Sequence, residues 1–171
     1  MITITESGMN FGPFEDDRCF EVEKCLAYKQ IENSVKIAEF VWLRDDLTPP
    51  KIWIVEAKSS TPQLQPPERF EEFVNEIRDK LLNALVMVLS ACLNRPGSAH
   101  NELPEPFLQI NLSTLDARLI LVIHNHKKEW LAPLKDALSK VLRATVKTWG
   151  ITTPAVLVLN DDMARNYKLI Q

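Results

Sequence analysis

Glu56 and Lys58 close the run Lys51–Lys58, KIWIVEAK, with only Ala57 between them. Successive side chains of a β-strand point to opposite faces, so these two charges share a face with Ile52 and Ile54. Trp53, Val55 and Ala57 fill the other. A strand that is apolar on both faces belongs inside a sheet, where an uncompensated charge is costly. A second run, Val35–Arg44 (VKIAEFVWLR), precedes it and is joined to it through DDLTPP. With the turn centred on Leu47 and Thr48, pairing sets Glu39 opposite Glu56 and Ile37 opposite Lys58. Two carboxylates and a lysine then meet on a face otherwise made of Ile, Val and Leu. Facing carboxylates repel unless one is protonated or a cation lies between them. A hard divalent ion, Mg²⁺ or Mn²⁺, takes oxygen ligands of this kind. Such an ion lowers the pKa of bound water and polarises a phosphoryl group, which are the needs of phosphodiester hydrolysis. Lys58 could hold the water or steady charge developing on the phosphate.

The elements that must position these residues read in the order βββαβαβ. Residues 1–17, with Gly8, Gly12, Pro13 and the acidic Glu15, Asp16 and Asp17, read as an irregular N-terminal arm or strand fragment with a loop. From Cys19 an alternating pattern, Phe20 and Val22 against Glu21 and Glu23, continues through Leu26, Tyr28 and Ile31. It predicts a first strand, with a short helix as the alternative. The runs 35–44 and 51–58 complete an antiparallel meander, because Pro49 and Pro50 exclude the connection from a ladder. Glu68–Arg95 carries Phe70, Phe73, Val74, Ile77, Leu81, Leu85, Val88 and Cys92 at helical spacing, opened by Pro67 and ended by Pro96–Gly97. Residues 101–106 read as a loop and Arg118–His124 as a buried strand. Glu129–Trp149 reads as an amphipathic helix and Ala155–Leu159 as a last strand before a polar tail. A meander followed by helix–strand alternation predicts a mixed central sheet with helices packed on it, in one α/β domain spanning 1–171.

Glu56-Ala57-Lys58 at the end of a hydrophobic strand, with an acidic residue across the preceding hairpin, resembles the PD-(D/E)XK nuclease superfamily, whose fold is restriction-endonuclease-like. The resemblance covers Cys19 to His124. It implies a metal-dependent nuclease in which Glu39 and Glu56 ligate Mg²⁺ or Mn²⁺ and Ala57 lends its backbone carbonyl. Lys58 would position or activate the attacking water. Glu39 stands where the family usually has an aspartate, and Asp45 and Asp46 are rivals at the far end of the hairpin. The family's additional glutamate, from an N-terminal helix, has Glu23 or Glu21 as candidates, and Arg78 and Lys80 on the long helix could touch phosphate. The implied partner is nucleic acid, DNA ahead of RNA, with a homodimer or larger complex to embrace it. The alternative is a non-catalytic subunit that keeps the fold within a defence or nucleic-acid-processing complex.

Blander readings stand beside each of these. Glu56 and Lys58 could be a surface pair where the core runs out, Glu39 a salt-bridge partner, and Arg78 and Lys80 the wet side of their helix. A formal net charge of -3 gives no general attraction to nucleic acid. It favours the binding-subunit alternative unless a cation or a local basic patch intervenes. Cys19, Cys25 and Cys92 are odd in number and lack metal-ligand spacing, which suits reduced core thiols in a cytoplasmic protein. No apolar run is long enough for a membrane span, and no phosphate loop, serine elbow or zinc motif occurs. His124-Asn125-His126 spells HNH but is contiguous at a strand end, unlike the nuclease motif of that name. Trp42 and Trp53 fall on one sheet face and should form a core cluster beneath a helix.

Overall fold

The computed structural model describes residues 1–95 and 97–171 and gives a mixed α/β architecture around a five-stranded sheet. In chain order the elements are strands β1 (Ile2–Glu6), β2 (Met9–Phe14) and β3 (Cys19–Phe20), then helix α1 (Leu26–Lys29). Strands β4 (Phe40–Arg44) and β5 (Lys51–Lys58) lead into the long helix α2 (Pro67–Cys92), α3 (Gly97–Glu102) and α4 (Glu105–Leu108). The chain ends with β6 (Asp116–Ile123), α5 (Leu131–Thr148), β7 (Val156–Asn160) and α6 (Asp161–Asn166). Sheet order is β3-β4-β5-β6-β7, with β3–β4 and β4–β5 antiparallel and β5–β6 and β6–β7 parallel.

The β4–β5 register follows from the hairpin turn. Phe40 pairs with Val55 and Trp42 with Trp53, and the Glu39 amide also donates to the Val55 carbonyl, at 3.1 Å, from a bend just outside the paired ladder. The expected pairings of Glu39 with Glu56 and of Ile37 with Lys58 fall beyond the ladder, which ends at Phe40–Val55. β5 is buried from Ile52 to Ala57 and β6 along its whole length, as strands covered on both faces must be. One face, carrying Ile52, Ile54, Leu119, Leu121 and Val158, packs under α2 and α5. The other, carrying Trp53, Val55, Ile120 and Leu159, packs under the β1–β2 hairpin and the C-terminal segment.

Several expectations are corrected. Residues 1–17 are not an irregular arm: Ser7 and Gly8, at φ 51 and 81, make the two-residue loop of a β1–β2 hairpin. The first strand is only Cys19–Phe20. Val22, Cys25 and Tyr28 are buried at a spacing of three, so the chain coils through a 3₁₀ turn (Val22–Lys24) into α1. The second strand starts at Phe40, not Val35. Residues 101–106 include the end of α3 and the start of α4, and Phe107 anchors that segment fully buried. The polar tail forms α6 and returns Leu169 and Ile170 to the core, where Ile170 bridges to Phe11. Trp42 and Trp53 do meet edge to face, 5.4 Å apart, but beneath the hairpin's Phe14 and beside Tyr167 instead of beneath a helix.

Candidate metal centre

Glu56 is fully buried on the helix-covered face, and its Oε1 takes two ammonium groups: Lys80 Nζ at 2.8 Å and Lys58 Nζ at 3.0 Å. Its Oε2 is buried with no hydrogen-bond partner among the described residues. Lys80 reaches down from α2 because it stands three residues after Ile77 and four before Ala84, on the margin of the helix's buried stripe. Glu76 and Asn83, one turn to either side, extend the same line. Glu76 meets Lys36 at 2.9 Å and Lys58 at 3.6 Å, and the Asn83 amide donates to the Lys36 carbonyl at 2.7 Å.

Lys80 also approaches Glu39 Oε1 at 3.8 Å. Beyond it lies a carboxylate group: one oxygen each from Glu6, Glu23 and Glu39, all within 4.8 Å of one another. Three elements deliver them. Glu6 ends β1, Glu23 sits in the 3₁₀ turn before α1, and Glu39 leads into β4. The hairpin is fixed here by Ser7 Oγ, which donates to the Ala57 carbonyl at 3.1 Å, and by Gly8, where a Cβ would come within 3.3 Å of His124.

The cluster is electrostatically loaded. Burial, then contact with the Glu23 carboxyl and the charge of Glu56, push Glu39 up to about 8. Burial and the neighbouring Glu23 charge raise Glu6, and burial raises Glu56 despite its two lysines. Burial opposes the charge on Lys80, but Glu56 and Glu39 more than offset it and the ammonium is held above its ordinary range. Five carboxyls (Glu6, Glu23, Glu39, Glu56, Glu76) face three ammoniums (Lys36, Lys58, Lys80), and with Glu39 holding its proton up to about pH 8 the excess is at most one negative charge. The Glu21–Lys24 ion pair alongside cancels itself. The three converging carboxylates, with the orphaned buried oxygen of Glu56, are oxygen donors of the kind a hard divalent cation takes.

The candidates named from sequence divide accordingly. Glu39, Glu56 and Lys58 share one face, and Glu23 joins Glu39. The Ala57 carbonyl, already accepting from Ser7, lies at the same end of β5. Glu21 turns away to Lys24. Asp45 and Asp46 pair with Arg18 and Arg44 at the opposite end of the β4–β5 hairpin. Arg78 is held along its own helix by Asp79 and Asn75. Lys80, in contrast, is not on the wet side but at the centre of the cluster. Glu6 was missed altogether, and the signal for it was the Ser7–Gly8 turn, which ends a strand at that residue.

No protein-family model, curated protein or solved structure matches the chain. Among the described residues no helix is long and apolar enough to cross a membrane.

Proposed function

We propose that this protein is a metal-dependent phosphodiesterase acting on nucleic acid, built on the PD-(D/E)XK plan. The observation that supports the reading is the charge group at the end of β5: the buried Glu56 bears Lys58 at 3.0 Å and shares Lys80 with Glu39, whose carboxylate converges with those of Glu6 and Glu23. Glu23, Glu39, Glu56 and the Ala57 carbonyl would hold Mg²⁺ or Mn²⁺, with Glu6 beside them. The bound ion would supply Lewis-acid polarisation of the phosphoryl group and a more acidic water. Lys58, fixed between Glu56 and Glu76, presents an ammonium that can orient the attacking water by hydrogen bonding.

Lys80 favours a second reading, a nucleic-acid-binding or scaffold subunit that keeps this architecture without catalysis. Its ammonium sits 2.8 Å from Glu56 and 3.8 Å from Glu39, neutralising both from inside the fold. Calorimetric titration with Mn²⁺ separates the two. The nuclease reading expects a site that is lost in Glu56→Ala, and divalent-dependent cleavage of nucleic acid abolished in Glu56→Ala and in Lys58→Ala. Cleavage unchanged in either variant sinks the assignment, and no binding at millimolar Mn²⁺ leaves the scaffold reading.

A further inference from the structure

Beyond Lys58 the chain does not close over the sheet. The segment 59–65 and the turn after β6 splay apart around a cavity of about 700 Å³, between the starts of α2 and α5. It opens outside the carboxyl ends of the parallel strands β5 and β6, the place where open α/β sheets bind ligands. Its volume lies in the range of sites that enclose a small ligand or one nucleotide. Phe70, His126 and Trp130 supply aromatic walls, and Gln63, Gln65 and Asn125 supply amide donors and acceptors.

Trp130 is 57% exposed, so part of its aromatic surface is open to a ligand. It packs edge to face with His126 at 5.5 Å, and Lys127 Nζ lies over its ring at 5.0 Å. A flat π surface with a cation beside it is what an unstacked base and its phosphate require. The turn that carries His126 is pinned by hydrogen bonds. Asp161 accepts from His124 Nδ1 at 2.8 Å and from the Asn125 amide at 2.6 Å, and Asn160 Nδ2 donates to the His126 carbonyl at 3.0 Å. Asn125 takes the left-handed backbone (φ 52) that the turn needs. Glu129 is the acidic group of the wall. Lys127 and Lys128, its neighbours in sequence, outnumber it.

We infer that this cleft binds an unpaired nucleobase, and that the substrate is single-stranded nucleic acid, or a strand with a base turned out of its helix. A base stacked inside a duplex cannot enter a cleft walled on both sides by helix starts. β5 runs from Glu56 and Lys58 to Ser59 and Ser60 of the cleft wall, so a strand held there lies at the end of the sheet that carries Lys58. This rests on the phosphodiesterase reading for its consequence, but the binding itself needs no metal.

The test is fluorescence anisotropy of labelled dT15 and U15, and of a 15-base-pair duplex, in EDTA. The single strands should bind at least tenfold tighter than the duplex. Trp130→Ala should weaken them about tenfold or more, with Trp130→Phe recovering most of the loss. Trp130 is exposed, so circular dichroism of both variants should match the parent chain. Equal affinity for duplex and single strand, or Trp130→Ala binding like the parent, overturns the inference. Glu56→Ala distinguishes the two proposals: single-strand binding that persists while cleavage is lost supports both. Metal-dependent cleavage with no Trp130 effect retains the phosphodiesterase and removes the cleft. Trp130-dependent binding without any cleavage does the reverse.

Discussion

Replacing Lys80 by Met keeps the aliphatic stem against α2 and the sheet but removes the ammonium that contacts Glu56 at 2.8 Å and Glu39 at 3.8 Å. Glu56 is fully buried, with one oxygen already unpartnered, so water cannot replace the lost contact. Breaking a buried pair by deleting one partner costs about 3–5 kcal/mol, and because Lys58 stays on Glu56 at 3.0 Å the loss should fall at the lower end. For a chain of this size that lowers the melting temperature by roughly 6–20 °C. The cost should depend on pH. The Lys80 charge lowers the pKa of both carboxyls, so without it they hold their protons to higher pH, and the destabilisation grows from pH 5 to pH 8. Adding Glu56→Gln to Lys80→Met should recover a large part of the loss, since no buried charge is then left stranded. Mn²⁺ should also stabilise the Lys80→Met variant more than the parent, because the cation takes over the vacated compensation. Urea denaturation at the two pH values, with and without Mn²⁺, measures all of these. A loss under about 1 kcal/mol at pH 8, or strictly additive effects in the double variant, would show that Lys80 does not hold the cluster together.

Glu39 offers a direct pH experiment. Its folded pKa of about 8 exceeds its ordinary 4.5, so the folded state binds the extra proton between those values. Its contribution is full below pH 4.5 and is lost as pH rises through about 8, and Glu39→Gln should flatten that decline in urea midpoints measured from pH 4.5 to 8.5. Asp116, 6% exposed, is opposed by burial but held well below its usual range by Lys51, Thr152 and the Ala117 amide. Asp116→Ala strands Lys51 and the buried Arg118 and should cost about 3–5 kcal/mol at pH 7. The difference from the parent should shrink as acid titrates the parent's own carboxylate, and a loss independent of pH down to 2 would contradict the ion-pair account. Phe11 is fully buried and stacks edge to face on Phe40 at 5.2 Å. Phe11→Ala should cost about 3–5 kcal/mol in the same assay. It should also weaken Mn²⁺ binding, because the hairpin that carries Glu6 is then less firmly seated.

The strand KIWIVEAK was legible because its composition is apolar on both faces, and its partner strand was legible because Pro49 and Pro50 fix where the hairpin must turn. Those two facts suffice for the register from Arg44–Lys51 to Phe40–Val55, and Glu39 lies one residue beyond it. Glu23 was visible only as an alternating residue, since Phe20–Val22 mimics a strand while Val22, Cys25 and Tyr28 obey the helical spacing that prevailed. Glu6 and Lys80 were harder. Glu6 reaches the cluster from a hairpin closed by two residues with positive φ, and nothing local says which sheet face that hairpin covers. Lys80 sits on the border of an amphipathic stripe, where periodicity alone does not decide between water and core.

By itself the sequence determined the strand order around the site, the face shared by Glu39, Glu56 and Lys58, and the long helix above them. These depend on local periodicity and on proline, which act over a few residues. Tertiary structure decided which charges compensate the buried glutamate, that Glu6 and Glu23 converge on Glu39, and that a cleft opens beyond Lys58. The physical reason is that electrostatic compensation depends on distance through space. Lys80 lies 24 residues from Glu56 along the chain, yet it is the group that contacts Glu56 most closely.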